Sequence, residues 1–163
     1  MSSDGTFIRA FVEADAVRQF NIDMQQGSYP GYAAADRTRN RAGGDDRPVR
    51  GYAIRWVNAF TALPDGSVTA EICSLQSITP DGSVAEGLLN DTLKYHRVGP
   101  PPPSNQQGPA RAPMVSVFGG WYATELAAQV PITAESVGPC TQTTPNVDKT
   151  NVDNAPGWPA ESK

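Results

Sequence analysis

The chain has 163 residues, a formal net charge of −4 and only 18 % charged side chains. That length suits one domain of about 100–200 residues, and the charge excludes both a strongly basic nucleic-acid binder and a highly charged disordered chain. With 15 glycines and 15 prolines, turns and loops exceed average usage, so a second domain does not fit. No apolar run approaches the ~18 residues of a membrane span.

Residues 1–5 are polar and expected to be unordered. Phe7, Phe11, Ala14, Val17, Phe20 and Met24 then recur every three or four positions, which predicts an amphipathic helix over about 6–26. Asp4 or Ser3 can cap it, and Gly27 stands just past its end. Arg9, Glu13, Arg18 and Asp23 fall on the opposite, solvated face. Tyr29-Pro30-Gly31-Tyr32 reads as a turn, with a short helix at about 31–39. Arg37, Arg39, Arg41, Arg47 and Arg50 lie close together in the segment 37–50. They carry no interleaved aromatics for base stacking, and Asp36, Asp45 and Asp46 offset them, so a solvated loop is the reading.

The pattern then changes to period two. Tyr52, Ile54, Trp56, Asn58 and Phe60 alternate with Ala53, Arg55, Val57 and Ala59, which predicts a strand. Pro64-Asp65-Gly66 is a turn, and Ser67–Leu75 forms the second arm of an antiparallel hairpin. Thr79-Pro80-Asp81-Gly82 is a further turn. A third strand spans 88–98, with Leu89, Leu93 and Tyr95 alternating with Asn90, Thr92, Lys94 and His96. The proline run in the loop 99–113 favours an extended surface connection over a docking motif. Met114–Phe118, Gly119-Gly120 and Trp121–Leu126 read as a final hairpin, and Val130–Pro139 as an extended exit. Residues 141–163 have no periodicity and are expected to be a disordered tail, with Trp158 incidental to the fold. A helix followed by hairpins is an α+β order, in which an N-terminal helix packs on a curved antiparallel sheet of four to five strands.

Cys73 and Cys140 stand apart, without CxxC or histidine spacing, so no zinc site is expected. They are either two buried thiols or one disulfide. The N-terminal segment lacks the basic and apolar regions of a signal peptide; either the chain is cytoplasmic or its leader is missing from this sequence.

The segments FIRAFVEADAVRQF, YPGYAAAD, DGSVTAEICS and GGWYATEL followed by GPC resemble small exported or lipid-anchored actinobacterial proteins of the NTF2-like (SnoaL-like, cystatin-like) cone fold. The resemblance covers residues 6–140, and departs from the group at Leu75, where Asp is usual, and in the long loop before the last hairpin. It implies a Cys73–Cys140 disulfide and an extracytoplasmic location. It also implies a cone whose lining would include Tyr52, Trp56, Tyr95 and Trp121.

Fold alone does not settle function. The one histidine, His96, lies opposite Leu93 and Tyr95 and is expected to face solvent. Glu71 and Asp91 read as solvated strand carboxylates. No nucleophile motif, phosphate loop or metal spacing is present, so no catalytic residue, metal or cofactor is assigned. The expected role is non-catalytic, a protein-interaction or envelope-assembly accessory, including conjugation or secretion machinery, with a protein partner at the cell envelope and no nucleic acid. A homodimer is compatible with this reading. The alternative is a SnoaL-like enzyme or carrier that holds a small apolar ligand in the cone.

Overall fold

A computed structural model describes residues 1–19, 28–39, 50–79, 86–128, 133–146 and 156–160. The apolar spacing near the N-terminus produces helix α1, Ser3–Gln19. Its cap is Ser2, whose Oγ accepts from Gly5 N at 3.1 Å, one residue before the expected Ser3 and two before Asp4. Asp4 sits instead in the first turn, where a negative charge suits the helix dipole. There it accepts from Tyr95 Oη at 2.6 Å and pairs with Arg97 at 2.8 Å. The expected last turns, with Phe20, Asp23, Met24 and Gly27, lie outside the described residues.

The expected solvated face of α1 is largely covered. Arg18 and Asp15 are each 5 % exposed, whereas Val17, expected in the core stripe, is exposed. Burial runs around much of the helix between Thr6 and Asp15 because chain packs on both of its sides. One side meets the sheet. Gln106, Pro156 and Gly157 bring their carbonyls to Arg9 on another.

Tyr29-Pro30-Gly31-Tyr32 makes the expected turn, with Tyr32 N donating to Tyr29 O at 3.0 Å. Gly31 has φ +84°, the left-handed value a glycine adopts at low cost in a type II turn. It leads into the single-turn helix α2, Tyr32–Ala35, shorter than the expected 31–39.

Strands β1 (Arg50–Ala62), β2 (Ser67–Thr79), β3 (Gly87–His96) and β4 (Tyr122–Ala128) form one antiparallel meander in the order β1-β2-β3-β4. The β1–β2 turn is closed as expected, with Gly66 N donating to Leu63 O at 3.1 Å and Ser67 N to Asp65 Oδ1 at 2.9 Å. The turn expected at 79–82 lies largely outside the described residues. β1 carries a register shift between Val57 and Ala59. A one-residue bulge flips every later side chain, so Phe60 leaves the face of Trp56 and joins that of Ala70. The uninterrupted alternation read from Tyr52 to Phe60 is thereby corrected.

One sheet face carries Val68, Ala70, Ile72, Leu93, Tyr95 and Ala123, each 2 % exposed or less. It receives α1 through Phe7, which packs on Tyr95, Phe118 and Trp121 at centroid distances of 4.7, 6.0 and 6.0 Å. The other face carries Trp56, Cys73 and Asn90 in one cross-strand row. Helix α3, Ala134–Thr143, covers that row.

Two expected elements do not form. Met114–Phe118 is not a strand, so the final hairpin and a fifth strand are absent among the described residues. The outer edge of β4 is taken instead by Asp36 and Arg37, whose N donates to Ala123 O at 2.9 Å. Gly120 N turns inward to Pro100 O at 2.8 Å, which folds 117–121 onto the proline segment. The exit expected to be extended contains α3. A capping box starts it, with Ser136 N on Thr133 Oγ1 at 3.1 Å and Thr133 N on Ser136 Oγ at 2.9 Å. Such reciprocal capping satisfies two orphan donors and suffices here despite Pro139.

Both chain ends are more ordered than expected in their described parts. Met1 O accepts from Asn105 N at 2.9 Å. Trp158, expected to be incidental in an unstructured tail, is 0 % exposed. The described residues are therefore an α+β domain with an N-terminal helix on an open four-stranded antiparallel sheet, and among them no helix is long and apolar enough to cross a membrane.

Candidate functional site

Cys73 and Cys140 form a disulfide, with Cα atoms 5.5 Å apart. It joins β2 to α3, and both residues are fully buried. Trp56 Nε1 donates to Thr143 Oγ1 at 2.9 Å, and Asn90 Nδ2 donates to Ser136 O at 3.2 Å. These ties, with Thr143 Oγ1 donating to Asn58 Oδ1 at 2.9 Å, hold α3 on the sheet, where Cys140 is its one buried residue.

The four aromatics expected to line one cavity do not meet. Tyr95 and Trp121 stack at 5.9 Å inside the core under α1. Tyr52 and Trp56 lie on the opposite sheet face, because their register partners are Ser77 and Cys73. Tyr52 Oη bonds to Glu86. The common lining is thus corrected by the parity of the β1–β2 pairing. His96 sits on the face away from Leu93 and Tyr95, as read, and stacks on Tyr122 at 5.2 Å. Arg37 covers the same Tyr122 ring at 3.6 Å, so one of the clustered arginines serves as an edge clamp. Arg41 and Arg47 lie outside the described residues.

A different group occupies the sheet face beneath α1. Arg55 pairs with Ser74, and Asp91 pairs with Ile72. Their parity places both on the side of Ile72 and Leu93, one row apart. Asp91, read as solvated, is half-buried. Burial raises its carboxyl above the ordinary value, with Arg55 opposing and Asp15 adding to the shift. Burial also lowers Arg55, against the attraction of Glu13, Asp91, Tyr29 and Asp15. No hydrogen bond joins either side chain to another described residue.

Around this pair the polar groups are well bonded. Asp15 Oδ1 accepts from Arg18 NH2 at 2.8 Å and from Tyr32 Oη at 2.9 Å. Tyr29 Oη donates to Glu13 Oε2 at 2.7 Å. Both phenols titrate well above their ordinary value, through burial first and the adjoining carboxylate second. Among the described residues, Arg55 and Asp91 thus face one another's charge in a half-buried frame. Guanidinium groups bind carboxylates bidentately, and that is the chemistry Arg55 offers here.

By its polarity Asp91 reads as a solvated strand position, which conceals its place on the face of Ile72 and Leu93. Its odd number shares parity with Leu89, Leu93 and Tyr95, and that parity was the available signal. No protein-family model, no curated protein and no solved structure matches the chain.

Proposed function

We propose that this chain is a non-catalytic, extracytoplasmic interaction module of the NTF2-like cone kind, an accessory that engages a protein partner at the cell envelope. The observation that carries this reading is an open surface groove of mixed polar and apolar lining, to which Gln106, Pro113, Met114, Val115, Val117 and Pro159 contribute. Met114 and Val115, adjacent in sequence, are 57 % and 66 % exposed there, which leaves two apolar side chains available to a partner. The filled aromatic core around Phe7, Tyr95 and Trp121 supports a binding role over catalysis in a hollow cone. The disulfide supports an oxidising compartment.

The test is chemical cross-linking of the full chain in envelope extracts, compared with a Met114→Asp, Val115→Asp chain. A cross-linked species given by the wild type and lost in the folded variant supports the reading. Identical patterns refute it.

The half-buried Arg55–Asp91 pair favours a second reading, a SnoaL-like carrier of a small polar ligand in place of the apolar one. Thermal-shift screening of small carboxylic acids tests it. Stabilisation abolished by Arg55→Met supports the carrier. A flat screen removes it.

A further inference from the structure

The C-terminal residues bind the domain as an extended peptide ligand would. Trp158 N donates to Ala110 O at 2.7 Å, Ala110 N to Trp158 O at 2.9 Å, and Gly108 N to Gly157 O at 3.1 Å. These are two antiparallel bridges outside the main sheet. The indole enters a socket made by three residues. Its Nε1 donates to Glu13 Oε2 at 2.8 Å, Arg9 stacks over the ring at 4.1 Å, and Tyr29 meets it edge-on at 5.7 Å. Arg9 also holds the carbonyls of Pro156 and Gly157. A Cβ on Gly157 would run into the carbonyls of Gly108 and Ala110, so the socket reads a glycine directly before the tryptophan. Main-chain pairing for affinity and a side-chain pocket for specificity are the components of strand-addition recognition.

We propose that this socket is a peptide-recognition site for an extended Gly-Trp segment, filled in cis by the chain's own tail and able to take the same tail from a second copy of the chain. The tail's side of these contacts comes from residues 156–158, which follow α3 in the sequence. A neighbour's tail presents the same groups, and exchange of an identical element is a low-cost route to a dimer. A tail joined to its own domain binds intramolecularly, which favours the cis form in dilute solution. The groove shares Pro159 and Ala160 with this tail, whereas the socket residues Arg9, Glu13 and Tyr29 do not line it, so substitutions in the socket test this inference separately from the groove.

The test introduces a protease site between residues 147 and 155 of the full chain, cleaves the folded protein, and adds a fluorescent peptide of residues 154–163. The expected result is that the released fragment co-elutes with the domain and is displaced by the labelled peptide. A peptide with Trp158→Ala should bind at least tenfold more weakly. Immediate loss of the fragment without peptide binding overturns the proposal. So does a fragment that never exchanges, or unfolding on cleavage, since the tail is then an integral part of the core. Mixing a full-length Trp158→Ala chain with a full-length Arg9→Ala chain tests the second-copy occupant. A dimer formed only in the mixture supports it, and folded monomers throughout overturn it.

Discussion

Reducing the Cys73–Cys140 bond perturbs both the folded and the unfolded chain. The cysteines are separated by 67 residues. In the chain-entropy account, a loop of that length removes about 4 kcal/mol of unfolded-state freedom at 25 °C. For a chain of this size, about 2–4 °C of melting temperature accompanies each kcal/mol, so reduction should lower Tm by about 8–16 °C. The loss has a local component too. Cys140 is the one buried residue of α3, so the reduced helix keeps only the Thr143 and Ser136 hydrogen bonds to the sheet. Thermal melts followed by circular dichroism, with and without reductant, measure the first effect. Hydrogen exchange measures the second, and amides of 134–143 should lose protection before those of β2 and β3. A Cys73→Ala, Cys140→Ala chain should melt where the reduced protein does and ignore reductant. A shift below about 2 °C, or uniform loss of protection across the sheet, would refute the reasoning.

Gly31→Ala places a side chain at φ +84° and against Ser116. The left-handed conformation alone costs roughly 1–2 kcal/mol, so urea denaturation should show at least that loss; an unchanged midpoint would contradict the turn. Asp91 has a folded value raised above 3.8 by burial, so the native state keeps its proton longer than the unfolded chain. Its contribution is therefore greatest below 3.8 and declines as pH rises through the folded value. Asp91→Asn should raise Tm at pH 7, with the gain closing near pH 3; a lower Tm at pH 7 would mean that attraction to Arg55 exceeds the burial cost. Tyr29, Tyr32 and Tyr95 are all raised by burial and then by neighbouring carboxylates. An ultraviolet pH titration should leave three of the five tyrosines protonated well past pH 10 until the protein unfolds. Stability should fall as pH rises above 10, because the unfolded chain releases those protons first.

Much of the fold was readable because it rests on local periodicity. The three-to-four spacing from Phe7 to Ala14 marks α1, and alternation marks β2 and β3, whose register against each other the alternation does not supply. Pro30-Gly31 and Pro64-Asp65-Gly66 specify their turns through backbone restriction alone. The partner of Cys73 needed more than local pattern, since residues 67 apart meet only when α3 crosses the sheet. Tertiary structure alone decided the rest. A bulge at Asn58 changes which face Phe60 joins, and no propensity records it. Asp36 and Arg37 take the edge of β4, which denies Met114–Phe118 a strand partner. Arg55 and Asp91 become a pair because two strands align their parity under α1. Trp158 enters the core because Arg9, Glu13 and Tyr29, distant in sequence, close around an indole. Periodicity expresses the geometry of one element, whereas these sites depend on the registry between several.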